Sequence, residues 1–111
     1  MNRDKASIED IIHSSKLIME FLNGVSFENY VKDIKLISAV ERQLEIMGEA
    51  VKRLSKEIRN SFPDIEWKQI AGLRDMISHG YDVIDQKEIW NICNSSVPNL
   101  LPKVEEIFKS L

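Results

Sequence analysis

The residues of this chain best suited to chemistry are an Arg, a His and a Tyr that lie within eight positions of one another. Arg74, His79 and Tyr81 stand in the stretch Arg-Asp-Met-Ile-Ser-His-Gly-Tyr, at the end of a helical pattern of apolar residues. In shuffled sequences of this composition, an Arg-x4-His spacing arises about once in eleven, and adding the Tyr lowers this to about once in six hundred. The stretch is therefore the strongest candidate for an active site.

The chemistry of this stretch follows from its position at a helix end. Gly80 is the residue type that commonly ends a helix, which places His79 in the last turn. The unpaired carbonyls and the negative end of the helix dipole favour a protonated imidazole there, so His79 could act as an acid or a base near neutral pH. Arg74 adds a permanent, planar positive charge. The alternative is that His79 only caps the helix and Arg74 is only a surface charge.

The geometry of a single helix separates the two candidate catalytic residues. Five helical residues turn through about 500°, so Arg74 and His79 should point about 140° apart. Either Gly80 unwinds the helix end so that the imidazole turns back towards Arg74, or Arg and His from two subunits meet across a symmetric interface. The second arrangement predicts a homodimer whose interface includes the motif.

The elements that must position the motif are all predicted to be helices. The first helix begins near Asp4 or Ser7 and ends at Asn23-Gly24. Ser26 caps a second helix of about 35 residues, which would form a rod about 50 Å long. Such a rod is longer than a compact domain of this size needs, so part of it should pack against another subunit or be kinked. Its apolar residues repeat at alternating spacings of three and four: Ile37, Val40, Leu44, Met47, Val51, Leu54 and Ile58.

Two further helices complete the predicted fold. The third helix runs through Trp67 to Gly80 and carries the motif. The fourth begins at Asp85, which matches an acidic capping box, and should kink or restart before Pro98. No alternating strand pattern is present. The sequence therefore predicts an all-α antiparallel bundle of four main helices, with a long second helix and a kinked or broken last helix.

Composition and charge restrict the classes of function. The chain of 111 residues fits one domain, 1–111, and carries a net charge of −3. Its pI near 5.4 argues against a protein that coats nucleic acid, so any RNA contact should be local and no DNA partner is expected. The nearest approach to a basic strip is formed by Lys52, Arg53, Lys56 and Arg59. Interleaved glutamates allow the alternative that this strip is an ordinary solvated face.

Localisation and cofactors are predicted from what the sequence lacks. The polar start does not fit a signal peptide, no apolar run reaches membrane-spanning length, and a single Cys93 cannot form an internal disulfide. We therefore expect a cytoplasmic protein with no membrane partner, and Cys93 should be a small core residue.

His13 should lie at the edge of the first helix's apolar stripe with a polar partner. Neither a Glu-x-x-His metal arrangement nor a phosphate-binding Gly loop occurs, so no metal or cofactor is expected.

The motif and its surroundings resemble a known family. The segment from Trp67 and Ile-Ala-Gly-Leu before the motif to Asp85, Trp90 and Pro-Asn-Leu-Leu-Pro after it is similar to the HepT-like toxins of the HEPN superfamily. Their signature is Arg-x4-His-x-Tyr. The preceding helix, with Glu41-Arg42 and Gly-Glu-Ala at 48–50, resembles the second helix of that family, and the match covers nearly the whole chain.

The resemblance implies a function and a partner. It implies a metal-independent endoribonuclease toxin of a type VII-like toxin–antitoxin pair, in which Arg74 and His79 cleave RNA in a dimer cleft. Asp75 and Ser78 would support them, since Asp75 matches the polar residue that often follows the Arg in this superfamily. Tyr81 would be the residue to which a minimal nucleotidyltransferase antitoxin adds AMP. The alternative within the same superfamily is a non-catalytic dimeric adaptor that binds nucleotide or the transferase.

Overall fold

The computed structural model describes residues 3–78 and 84–111, and every regular element among them is helical. The predicted all-α bundle is confirmed. The elements are α1 Arg3–Leu22, α2 Phe27–Lys32, α3 Ile34–Arg53, α4 Lys56–Ser61, α5 Trp67–Ser78, α6 Gln86–Asn91, a π-helical turn Ile92–Ser96 and α7 Val97–Ser110. In these two ranges, no helix is both long enough and apolar enough to cross a membrane.

The predicted second helix is interrupted twice, so the alternative of a kinked helix is the one observed. Asp33 leaves the helical conformation, and its carboxylate accepts a hydrogen bond from the Leu36 N–H at 3.0 Å. Ser55 likewise leaves the helical conformation before α4, and its hydroxyl oxygen accepts a hydrogen bond from the Ile58 N–H at 3.2 Å. Asp and Ser are effective N-caps because they satisfy N–H groups that a new helix leaves without partners. The interruptions replace a straight rod by three helices, of which α3 carries the central part of the predicted seam.

Asp4 stabilises the second interruption instead of capping its own helix. Its carboxylate accepts hydrogen bonds from both the N–H and the hydroxyl of Ser55, at 2.9 and 2.7 Å. The predicted capping role of Asp4 is therefore wrong. Ser7, the other predicted cap, is buried inside α1.

The last helix changes its pitch at the predicted break but does not stop. At the π-helical turn, the Val97 N–H bonds to the Ile92 carbonyl five residues earlier. Pro98 follows directly and has no N–H to donate, so a helix of regular pitch would lose a bond there. The wider turn accommodates the proline near the start of α7, and the chain stays helical from Gln86 to Ser110.

The core lies between α1, α3 and α7, and α5 packs chiefly on α3. Helices α1 and α3 run antiparallel, as the pairs Asp10–Arg53 and Ser14–Gln43 show. The predicted seam of α3 is confirmed, since its central members are buried and its ends are half-buried. Cys93 is also buried, as predicted, and burial raises the pKa of its thiol to about 12. Helix α3 is thus the support on which α5 and the motif rest.

Candidate functional site

Arg74 lies where α5 comes closest to α3, at a position that only glycine allows. A Cβ atom built on Gly48 of α3 would lie 2.8 Å from both the backbone nitrogen and the Cβ of Arg74. It would also lie 3.1 Å from the Ile70 carbonyl oxygen. These are backbone and Cβ atoms, which cannot move aside as the end of a flexible side chain could. The absence of a side chain at Gly48 therefore fixes the depth at which Arg74 sits against α3.

One turn further along α3, an ion cluster joins the two helices. Lys52 Nζ donates to Asp75 Oδ1 at 3.0 Å, and Arg74 Nη1 lies 3.5 Å from the same oxygen. All three side chains are about half exposed, at 43% for Lys52, 53% for Asp75 and 41% for Arg74. The hydrogen bond from Lys52, with the nearby positive charges, holds the pKa of Asp75 below its usual value. Asp75 is thus an ionised acceptor shared by two cations.

Ser78, the last residue of α5, is attached to α3 from the other side of Gly48. Its hydroxyl donates to the Glu45 carboxylate at 2.7 Å, and both side chains are half-buried. Three contacts with α5 follow one face of α3 in order: Glu45 with Ser78, Gly48 with Arg74, and Lys52 with Asp75. From position 45 to position 48 of α3, the partner on α5 changes from Ser78 back to Arg74. The two helices therefore run antiparallel.

A second glutamate of α3 holds the beginning of α6. Gln86 donates to Glu41 at 3.0 Å, and its carbonyl oxygen accepts from the Tyr30 hydroxyl at 2.6 Å. Burial raises the pKa of Tyr30, so its phenol remains protonated and able to donate. Glu41 and Glu45 are four residues apart, about one turn of helix. The chain on either side of 79–85 is therefore bonded to adjacent turns of α3.

The structure brings three of the five predicted site residues to the surface of α3. Arg74, Asp75 and Ser78 lie on one helix and each contacts that surface. His79 and Tyr81 lie outside the described residues, so the predicted approach of His79 to Arg74 stays a prediction. Ser78 directly precedes His79 in the chain.

Sequence reasoning missed the residues of α3 that hold the motif. Glu45 is one of the glutamates interleaved with the basic strip, for which a solvated face was the alternative, whereas its carboxylate binds Ser78. Lys52 was grouped with neighbouring basic residues, whereas it points to α5. A signal was available: Glu41, Glu45, Gly48 and Lys52 recur at spacings of four, three and four beside the apolar seam. That period marks a second contact face, and a glycine within it indicates a close approach of another backbone.

The remaining candidate side chain lies apart from this surface. His13 is exposed on α1, and within the described part of the chain its side chain makes no hydrogen bond. The predicted polar partner is therefore not found among the described residues, whereas the predicted edge position is observed, since His13 lies between the buried residues Ile11 and Ser14 of α1.

Comparison with known proteins identifies the family. The family model described as "Ribonuclease HepT-like" matches residues 11–107. A protein of Methanocaldococcus jannaschii named as a candidate RNase is 40% identical, over 96% of this chain and 88% of its own. Another protein named in the same way, from Caldanaerobacter subterraneus, is 38% identical over 98% of this chain and 97% of its own length. A Thermococcus cleftensis protein named "Probable ribonuclease HepT" is 35% identical over 95% of this chain and 96% of its own length. No solved structure matches the chain.

The chain therefore belongs to the HepT-like ribonuclease family. This confirms the resemblance inferred from the motif, and it confirms the prediction of a ribonuclease at the level of the family.

The contact at Gly48 predicts opposite effects for two Gly→Ala substitutions. Within a helix, Ala in place of Gly normally stabilises a protein by about 0.5–1 kcal/mol. Gly72 lies in α5 with no atom within 4 Å of its added Cβ, so Gly72→Ala should show this gain in full. Gly48→Ala forces α5 away from α3 and should lower the free energy of unfolding by about 1–3 kcal/mol. Urea unfolding of both variants measures the difference.

Gly72→Ala is the matched control for this comparison, since it adds the same methyl group to the other of the two packed helices. If both variants were equally stabilised, the two helices could not be as close as the contact at Arg74 requires.

Proposed function

We propose that this protein is a metal-independent endoribonuclease toxin in which Arg74 and His79 carry the reaction. The observation that carries the proposal is the fixed position of Arg74 against Gly48, in a chain that belongs to a ribonuclease family. Asp75 and Ser78 have supporting roles. Asp75 holds the Arg74 guanidinium from one side, and Ser78 fixes the end of α5 directly before His79 in the chain.

The reaction needs only groups that these two residue types supply. The ribose 2′-oxygen forms a bond to the adjacent phosphorus while the bond from phosphorus to the leaving 5′-oxygen breaks. One imidazole takes the proton of the 2′-hydroxyl, and an imidazolium gives a proton to the leaving oxygen. The Arg74 guanidinium stabilises the extra negative charge of the phosphorane. The products are a 2′,3′-cyclic phosphate end and a 5′-hydroxyl end.

The proposed site is shared by two subunits of a homodimer. One His acts as base and a second as acid if two copies of the motif face one cleft, and a twofold axis produces that arrangement. Support comes from the helix geometry, which separates Arg74 and His79 by about 140° on a regular helix. Further support comes from Arg74 itself, whose side chain is 41% exposed although its backbone is packed against α3.

The proposed partner is a minimal nucleotidyltransferase antitoxin that adds AMP to Tyr81. A phosphate attached two residues after His79 would bring negative charge to the cationic site, where Arg74 and imidazolium His79 would bind it. A tethered group reaches an effective concentration in the millimolar range, so even weak binding would keep the RNA phosphate out. We place this pair in the cytoplasm, with residues 1–111 acting as one domain.

Replacing either catalytic residue should abolish cleavage without unfolding the protein. Arg74→Ala and His79→Ala should each reduce kcat by about 10²–10⁴-fold, because each removes a charge or a proton-transfer group needed in the transition state. Arg74→Ala keeps the Cβ that contacts Gly48, so thermal unfolding should change little. Cleavage of a mixed-sequence RNA in the presence of EDTA is the measurement.

The exposed residues His13 and Arg53 provide controls of the same residue types away from the motif. His13→Ala and Arg53→Ala should cleave as the parent protein does. Retained cleavage by Arg74→Ala or His79→Ala would refute their catalytic roles. A stable dimer with no cleavage in any form would instead favour the non-catalytic adaptor.

Mixing parent subunits with His79→Ala subunits should produce inactive mixed dimers if the two imidazoles of one cleft come from different subunits. A mixed dimer keeps a single His79, so the shared cleft has an imidazole for one of the two proton transfers and not for the other. After co-refolding of equal amounts, about a quarter of the dimers consist of two parent subunits, so the activity per parent subunit should fall to about half. A mixture that dimerises with unchanged activity per parent subunit would place each complete site within one subunit.

Addition of AMP to Tyr81 should abolish RNA cleavage. After incubation with a nucleotidyltransferase encoded beside it and ATP, the intact mass should rise by one or more AMP units, and RNA cleavage should fall in proportion. Tyr81→Phe should show neither change. Tyr30, the other tyrosine of the chain, is buried and is an internal control for specificity. AMP located on any other residue would remove this part of the proposal.

A further inference from the structure

Lys52 stands apart from the other basic residues with which it is grouped in the sequence. Arg53 points to a different side of α3, where it binds Asp10 of α1 at 3.0 Å. Arg59 is half-buried in α4, and Lys56 begins that helix after the interruption at Ser55. Lys52 reaches α5 instead, where Asp75 is its acceptor at 3.0 Å. The four residues therefore form no continuous basic face, and one of them joins the motif.

Lys52 and Arg74 are held close together by a carboxylate that they share. Both bond to Asp75 Oδ1, at 3.0 and 3.5 Å, so Lys52 Nζ and Arg74 Nη1 are at most about 6.5 Å apart. Within this limit the two cationic groups can contact successive phosphates of one RNA strand, because both side chains are about half exposed. Two positive charges share one negative charge, which leaves an excess of positive charge beside Arg74.

The neighbouring acidic residue does not remove this excess. Glu49 lies three residues before Lys52 on α3, but it pairs with Arg42 at 3.7 Å. An ammonium group has three N–H donors, and within residues 3–78 and 84–111 Asp75 accepts from one of them. Exposed ion pairs of this kind bind weakly. The contact with Asp75 therefore orients Lys52 towards Arg74 without preventing it from binding another anion.

We propose that Lys52 binds the RNA phosphate next to the one that is cleaved, so that Lys52 and Arg74 form two adjacent phosphate sites linked by Asp75. This inference rests on the proposed function. Lys52 acts on substrate binding and not on the reacting bonds, because its charge serves the ground state and the transition state equally. Removing such uniform binding raises KM and leaves kcat unchanged.

The test uses Lys52→Gln, with Arg53→Gln as the matched control. Both changes remove one positive charge from neighbouring residues of α3, but only Lys52 faces the motif. Lys52→Gln should raise KM for RNA about tenfold with kcat within about twofold, and Lys52→Arg should restore the parent KM. Arg53→Gln should leave both constants unchanged. Equal effects of the two Gln variants, or no effect of Lys52→Gln, would overturn the assignment.

A binding measurement separates this inference from the proposed reaction. The probe is a fluorescent single-stranded oligonucleotide with 2′-O-methyl groups, which cannot be cleaved through its 2′-oxygen. The slope of log affinity against log salt should fall by about 0.7 in Lys52→Gln and stay unchanged in Arg53→Gln. If the parent protein binds this probe through Lys52 but cleaves no RNA, the proposed reaction fails and the phosphate site stands. If the parent cleaves RNA while Lys52→Gln retains affinity and slope, the site fails alone.

Discussion

The arrangement of this molecule depends on the contact between Gly48 and the backbone of Arg74. Packed helices ordinarily lie 8–10 Å apart because side chains fill the space between them. At Gly48 that space is removed, since even a methyl group would lie 2.8 Å from two atoms of Arg74. Shorter separation at this point lets side chains one turn away on either side reach across. Glu45 meets Ser78 and Lys52 meets Asp75 because the helices are close between them.

The charges around this contact give an acidic protein a local excess of positive charge to which RNA could bind. The net charge is −3, and the cations are distributed among carboxylate partners over the surface. Among the ion pairs of residues 3–78 and 84–111, the one carboxylate oxygen that two cations share is that of Asp75, next to Arg74. The proposed phosphate sites would bind RNA locally and would give the chain little general affinity for nucleic acid, because nonspecific binding requires many phosphate contacts at once.

The neutral polar groups of the bundle have a separate role, which is to fix the chain on both sides of 79–85. Tyr30 is fully buried and packs its ring 5.3 Å from that of Trp90, while its hydroxyl binds Gln86. Gln86 in turn binds Glu41. A buried hydroxyl without a partner would be costly, so this chain of hydrogen bonds has one preferred geometry. The start of α6 is thereby held against α3, as the end of α5 is by Ser78.

The sequence alone determined the helical class, the seam of α3 and the resemblance to the HepT-like family. Each of these is a local pattern: apolar residues repeating every three or four positions, a capping residue such as Asp85, or a short motif of fixed spacing. The sequence did not determine where the long second helix would be interrupted. Asp33 and Ser55 can cap a helix or lie within one, and the choice at Ser55 depends on Asp4, which is 51 residues away.

Only the tertiary structure decided which polar residues of α3 belong to the site. Gly48 between Glu45 and Lys52 indicates that another backbone approaches this face, but the pattern does not show which helix approaches or which side chains it brings to Glu45 and Lys52. That depends on α5 approaching at Gly48, a contact between residues more than twenty positions apart in the chain. Periodicity shows which residues share a face of one helix, but the position of a second helix against that face is set by packing. Proximity between helices is therefore a property of the folded chain, and the surroundings of Arg74 could be known only from it.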